Sequence, residues 1–319
     1  MAENCSYPTY KNNFVSVEQN SKITQKKRIK CVICDYHIDE KDESILSTFN
    51  CNVRAFQQEN FQVWRCPNCQ TIHSLDIVDI APYYEQYPIA NSTLTWVMRL
   101  CYGKLSQQLI KHGFSKDHSI LDYGCASGLF VRYLQEQGFT NCYGYDPYAS
   151  SDGFGNDAIL QQAPFDYILL QDVIEHVEDP RKLLSQLDGL LAPGGYILIG
   201  TPNAANIDLR KPEISEFYNS IHVPYHFHIY TPEVLEYLGN CQSWKTIDFV
   251  ARAYHDTPWL GVNVRAWNEY QRLFDGSLDT IVEPIKLSKA LTSYKVMFYA
   301  FFGYWLSYQT EMSIMFRKR

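Results

Sequence analysis

The sequence predicts an α/β fold: a mostly parallel, doubly wound sheet with helices on both faces, preceded by a small metal-stapled module. Three observations predict it. Strand-like and helix-like stretches alternate from Pro82 onward. Two Cys-x2-Cys pairs, Cys31/Cys34 and Cys66/Cys69, stand before that alternation. A glycine-rich turn, LDYGCASG over 121–128, joins its first strand to its first helix. Alternation of this kind needs crossover connections, which yield parallel strands covered on both faces.

The chain has 319 residues, 46% of them apolar, enough for one large core and a small accessory unit. Residues 1–28 read as a polar, aperiodic leader, 29–80 as the metal module and 81–319 as the α/β domain, with a lid or cap inserted at about 254–295. Twenty-eight basic against 35 acidic residues give a net charge of −7, and the one basic stretch is QKKRIK (25–30). No nucleic-acid partner is therefore expected, because phosphate binding needs a basic footprint. The N-terminus shows no charged region followed by an apolar one, so a cytoplasmic protein is expected. Its ten cysteines then point to thiols and metal ligands rather than a disulfide framework.

Within the module, Phe61–Arg65 and Thr71–Ile77 read as short strands. Thr93–His112 carries Leu94, Val97, Met98, Cys101, Leu105 and Leu109 at helical spacing. Strands follow at 119–123, 141–146, 165–171 and 196–200, with helices at 129–138 and 181–191. Thr231 followed by Pro232 marks a helix start, since threonine caps and proline gives up an N–H that the first turn leaves unused. Trp244–Ala253 and Glu311–Lys318 read as an antiparallel pair completing one edge.

A glycine turn after a strand permits two readings: tight packing, or backbone N–H groups approaching a ligand at a helix N-terminus. The spacing departs from the G-x-G-x-x-G dinucleotide pattern. Asp146 ends the next strand 22 residues after Gly124, where a carboxylate can accept ribose hydroxyls. Asp122 would repel a pyrophosphate but favours a cation, so a cationic nucleoside fits better than a phosphate ester.

In these motifs the chain resembles class I methyltransferases, of the group that includes the ubiquinone-pathway O-methyltransferases. LDYGCASG is similar to their first motif and YGYDP to their ribose-binding strand end. FDYILLQDVIEHVEDP resembles their fourth strand, LLAPGGYILIGTPN their fifth, HFHIYTPEVLEYL the segment beyond it and EMSIMFRKR their final strand. The resemblance implies a Rossmann-like sheet of seven strands, mostly parallel with one antiparallel edge strand. It places S-adenosylmethionine against Asp122, Gly124, Cys125, Ala126, Ser127 and Gly128, against Asp146 and Pro147, and against Gln171, Asp172 and Val173. Two departures stand out. Ala126 occupies a position that is often glycine, and Pro147–Pro164 leaves little room for the helix and third strand that hold the adenine.

Cys31, Cys34, Cys66 and Cys69 have the spacing of two knuckles around one tetrahedral zinc. Four protein ligands make such a site structural rather than catalytic. His37 and His73 are the alternative ligands. A zinc ribbon ahead of Tyr83, Tyr84 and Tyr87 also resembles the zinc-containing sugar and natural-product C-methyltransferases. There the module helps bind substrate; a cap over the core edge is the plainer role.

Methyl transfer mostly needs positioning, plus a base when the acceptor is an O–H or C–H. His176, after the fourth strand, is one candidate. The other is the cluster His222, Tyr225, His226 and His228. YHFH is similar to the YHEH segment of the sugar enzymes, which implies Tyr225 and His228 as acting groups and makes His228 the first choice. Asn203 would orient substrate or hold its turn. The apolar run Val296–Leu306 covers 11 residues, too short for the roughly 20 of a spanning helix. It reads as a core helix, with a lid or peripheral bilayer contact as the functional alternatives. The expected activity is methylation of a small-molecule acceptor. Against it stand a protein or RNA methyltransferase docked by the ribbon, and a non-catalytic cofactor-binding scaffold. Oligomeric state is not readable.

Overall fold

A computed structural model describes residues 27–88, 93–149, 154–210 and 218–319. Among the described residues ten strands form two sheets: β1 (Leu46–Asn50), β2 (Asn60–Arg65), β3 (Ile72–Ser74), β4 (Ile120–Tyr123), β5 (Cys142–Tyr145), β6 (Phe165–Gln171), β7 (Leu191–Pro202), β8 (His228–Ile229), β9 (Trp244–Val250) and β10 (Glu311–Lys318). The large sheet has the order β5-β4-β6-β7-β10-β9. Neighbours from β5 through β7 are parallel, whereas β10 runs antiparallel to both β7 and β9. Among the described residues the large sheet has six strands where seven were expected. Between Pro147 and Pro164, an 18-residue stretch in which a helix and a strand would otherwise lie, the described residues hold a 3-10 turn, Asp157–Gln162, and no strand. The antiparallel strand is also not an edge: β10 is inserted between β7 and β9, and β9 closes the sheet.

Helices cover both faces for the reasons the sequence gives. Thr95 caps the helix Trp96–Lys111 by accepting from Met98 N, and Asp179 does the same for Pro180–Leu190 from Lys182 N. Thr231 caps Pro232–Cys241 with proline at the first turn. Apolar faces at Leu183, Leu184 and Leu187, and at Val234, Leu235 and Leu238, pack on one side of the sheet with Ile168, Leu170 and Ile199. Leu105, Leu109, Phe130 and Leu134 pack on the other with Leu169 and Leu198.

The small sheet, β1-β2-β3-β8, takes its last strand from the α/β domain: β3 pairs antiparallel with β8 through Ile72↔Ile229 and His73↔His228. Module and domain thus share a sheet. Arg65 adds donors to Ala204 O and Ile207 O, and buried Arg28 pairs with Glu178 and donates to Ser74 O. Lys27 and Arg28 already belong to the ribbon, through a Lys27–Asp76 bridge and an Arg28 N to Leu75 O bond; the remainder of the expected leader, residues 1–26, lies outside the described residues.

The insertion between β9 and β10 is helical, with helices Val264–Arg272, Asp279–Val282, Leu287–Thr292 and Tyr294–Phe302. Leu278 N donates to Asn52 O and Arg54 reaches Asp275, so the insertion meets the ribbon. The expectation that Val296–Leu306 fills the core is overturned. Within it only Val296 and Gly303 are buried, while Phe298, Phe301, Phe302, Trp305 and Leu306 are exposed.

Candidate active site

The first wall of the site is the turn between β4 and the helix Leu129–Glu136. Gly124, Ala126 and Gly128 all adopt positive φ, which explains two of the glycines and makes Ala126 a strained exception. A Cβ on Gly124 would fall 2.3 Å from Val173, and one on Gly128 would fall 2.1 Å from the Phe154 ring. Val173 and Phe154 therefore close on the turn from either side. Asp146, just past β5, braces it: its carboxylate accepts from Ala126 N at 2.9 Å and Tyr148 N at 2.8 Å. Asp146 N donates in turn to Phe154 O, which brings the shortened 147–164 segment back over the turn.

Asp122 is 93% buried, being 7% exposed, and the described residues offer its carboxylate no hydrogen-bond donor. Burial, then the nearby Asp146 charge, pushes its pKa up to about 7. A buried carboxylate without a partner is costly and calls for a cation or donor from outside the chain. Cys125 and Ser127 form the floor of the turn, while Pro147 and Ala126 are exposed at its rim. Gln171 lies across Gly200 and donates to Asp172, which takes φ 54° at the end of β6.

The second wall is aromatic and histidine-rich. Tyr84 lies parallel to Tyr148, centroids 6.5 Å apart, and its hydroxyl stands 3.2 Å from His176 Nδ1. It thereby links Tyr148, two residues past Asp146, to the histidine after β6. His176 Nδ1 donates to Tyr225 O at 2.9 Å, and His226 Nδ1 donates to Ser220 O at 2.9 Å. Burial lowers His176 to about 4 and His226 well below the usual imidazole range. Both rings are therefore neutral at physiological pH, with Nδ1 as donor and Nε2 left as base or ligand. Glu175, fully buried, accepts from Thr201 through Oε2, but its Oε1 has no hydrogen-bond partner. Glu175, His176 and His226 offer ligand atoms within 4.8 Å of one another, a donor set of the divalent-cation type.

The structure does not bring every predicted group to this wall. His228 is fully buried in β8, with its Nδ1 2.9 Å from His73 Nδ1, at the seam between ribbon and domain. Tyr225, by contrast, does join the wall although it is fully buried: its ring meets Tyr84 edge-on at 5.5 Å and stacks on His222 at 4.5 Å, and its hydroxyl donates to Tyr83 O. His222 binds Asn52 of the ribbon at 2.5 Å. Asn203 holds its own turn by accepting from Ala205 N. The sequence does not single out Phe154, and names Tyr84 only within the tyrosine stretch after the ribbon. The gap in the third-strand region was the only signal for Phe154, and the YY pair for Tyr84.

At the ribbon, Cys31 Sγ lies 3.4 Å from Cys69 Sγ, and Cys34 Sγ lies 3.5 Å from Cys66 Sγ. Four thiolates at about 2.3 Å from one zinc would stand roughly 3.8 Å apart, so the set fits a tetrahedral ion. Each knuckle turns through a positive-φ residue right after its second cysteine, Asp35 and Gln70. Neither alternative ligand joins them: His37 is exposed and His73 is held by His228.

Residues 98–239 match the family model described as "Methyltransferase domain". By that match the segment is similar to a methyltransferase domain. The match covers the glycine turn, Asp146, the 171–176 turn and the histidine cluster. Two curated relatives, the ubiquinone biosynthesis O-methyltransferases of Caulobacter sp. (strain K31) and Caulobacter vibrioides, are 32% and 31% identical over 102 and 103 residues. These stretches are 26% and 27% of this chain and span 40% and 41% of the relatives' length. Among solved structures, a SAM-dependent methyltransferase from Archaeoglobus fulgidus is 16% identical with a TM-score of 0.41, covering 74% of this chain and 99% of that one.

Proposed function

We propose that the chain transfers the methyl group of S-adenosylmethionine to a small-molecule acceptor bearing an ionisable O–H or C–H. The observation that carries this is Asp122: a buried carboxylate beside the glycine turn that meets no donor among the described residues and would repel a phosphate. With Asp146 it makes an anionic cradle for a sulfonium nucleoside. Gly124 to Gly128 would take the amino-acid portion, Asp146 the ribose, and Tyr148 and Phe154 the base. S-adenosylmethionine supplies an electrophilic methyl group; the chain's own work is to align the acceptor and accept its proton.

His176 suits the proton role better than His228. It is neutral, oriented by Tyr225 O, and adjacent to Tyr84, whereas His228 is sealed against His73. Glu175 and His226 stand behind it as positioning groups. Zinc at Cys31, Cys34, Cys66 and Cys69 would keep the ribbon folded, and the ribbon in turn holds the 222–230 segment through β8. The relatives' printed names, ubiquinone biosynthesis O-methyltransferases, favour an O-methyl acceptor. The ribbon's engagement in a shared sheet speaks for a structural role over docking of RNA or protein.

The test is release of S-adenosylhomocysteine in the presence of a panel of phenolic and carbonyl-activated acceptors. Turnover with any of them that falls about 10²- to 10⁴-fold in His176→Ala supports the reading. Turnover unchanged in His176→Ala removes His176, and turnover only with protein or RNA removes the small-molecule acceptor.

A further inference from the structure

The helix Tyr294–Phe302 and the turn after it carry an apolar stripe on the wrong side. Tyr294, Phe298, Phe301, Phe302 and Trp305 stand at i, i+4, i+7, i+8 and i+11, the spacing of a single helical face. That face points outward: these side chains are 80%, 48%, 53%, 53% and 66% exposed. The opposite face is the anchored one. Val296 is buried, Tyr299 O accepts from Asn263 Nδ2, Ala300 O accepts from Gly261 N, and Gly303 fits against Asn263. The helix therefore cannot roll to hide its aromatic residues without breaking those bonds.

The neighbouring surface continues the pattern. Leu287 and Leu291, one turn apart on the preceding helix, are 62% and 59% exposed, and Trp259 and Leu260 adjoin the Gly261–Ala300 contact. Exposed aromatic and aliphatic side chains gathered on one helical face in this number mark an interaction site.

Charge decides which partner. Between Glu283 and Glu311 the sequence has no acidic residue but has Lys286, Lys289 and Lys295, all exposed. A chain of net charge −7 thus presents one locally cationic, aromatic-rich strip. A second copy of this chain docked face to face would set lysines against lysines. An anionic bilayer meets both features, with lysines at the headgroups and aromatic rings in the boundary below them. None of the helices among the described residues is long and apolar enough to cross a membrane, so the contact is interfacial.

We propose that this face, 285–306, seats the protein on an anionic lipid surface. The whole chain is mixed with phosphatidylcholine vesicles and with phosphatidylcholine–phosphatidylglycerol vesicles, and bound protein is measured by flotation. Binding to the mixed vesicles, with Trp fluorescence quenched by brominated acyl chains, is expected. Phe298→Ser/Phe301→Ser/Trp305→Ser should weaken it about 100-fold with an unchanged melting temperature, because these side chains are already exposed. Lys286→Glu/Lys289→Glu/Lys295→Glu should lower the preference for anionic vesicles at least about tenfold. No flotation with either vesicle, equal binding to both, undiminished binding by the aromatic variant, or a concentration-dependent dimer that the aromatic variant abolishes would each overturn the proposal.

Discussion

The seam between ribbon and domain and the cleft beside the glycine turn are built from the same residue types, yet they differ in what can reach them. At the seam, His73 and His228 hold each other, Arg28 binds Glu178 and Ser74, and the cysteines share a metal-type cage. In the cleft, Asp122 meets no donor among the described residues, Glu175 keeps an oxygen without a hydrogen-bond partner, and His176 stands half-buried beside Tyr84. Buried histidine alone thus says little about catalysis. The seam is not fully paired either, since Nε2 of His73 and Nε2 of His228 have no hydrogen-bond partner among the described residues. What separates the two regions is that those atoms are sealed in the shared sheet, whereas the cleft groups lie beside half-buried His176 and exposed Tyr84.

Four changes would break or sharpen that division. The largest effect is expected at the seam. Cys66→Ser, or a strong chelator, should unfold the ribbon, since metal binding in such modules is itself folding free energy of order 10 kcal/mol. Because β8 hangs on β3, the 222–230 segment should lose order too. Hydrogen exchange would show that loss, and a protected 222–230 segment in the metal-free protein would separate the two.

Next comes the pair of histidines. His176→Ala should lower turnover about 10²- to 10⁴-fold with the melting temperature nearly unchanged. His228→Ala should do the reverse, leaving His73 unpartnered at a cost of about 1–3 kcal/mol while the rate per folded molecule holds. A rate collapse in His228→Ala alone would erase the division.

Arg65→Ala tests how tightly the ribbon grips the domain. It removes bonds to Ala204 O and Ile207 O, and about 1–3 kcal/mol of stability should go with them. An unchanged denaturation midpoint would mean that the shared sheet alone carries the joint.

Much of this was legible locally. The alternation gave β6 at its observed ends, Thr231 caps the helix it announced, and the four cysteines sit at their expected spacing because a metal cage is a local chemical pattern. The glycine turn was readable for the same reason, as its conformation depends on residues a few positions apart. The long-range choices were not. Nothing in HVPYHFHIY tells which histidine faces a cleft and which pairs with a ribbon strand 155 residues earlier. Likewise the apolar run at 296–306 has the composition of a core helix, and only its anchoring through Asn263 and Gly261 shows that the aromatic face looks outward. The third-strand gap was visible, but its filling by Phe154 was not.

The most direct test of the acidic cleft is Asp122→Asn, followed by calorimetric titration with S-adenosylhomocysteine and S-adenosylmethionine together with a melting curve. The folded pKa of Asp122, about 7, lies above its ordinary value of 3.8, so the folded chain holds this proton more tightly than the unfolded one. Its contribution to stability therefore falls as pH rises between those values, and the ionised form costs up to a few kcal/mol. At about pH 8 the account predicts that Asp122→Asn melts at the same temperature or higher, yet binds S-adenosylmethionine at least about tenfold more weakly. Wild-type affinity should also rise from about pH 6 to about pH 8, and the variant should lose that slope. Unchanged affinity and slope in Asp122→Asn would contradict it.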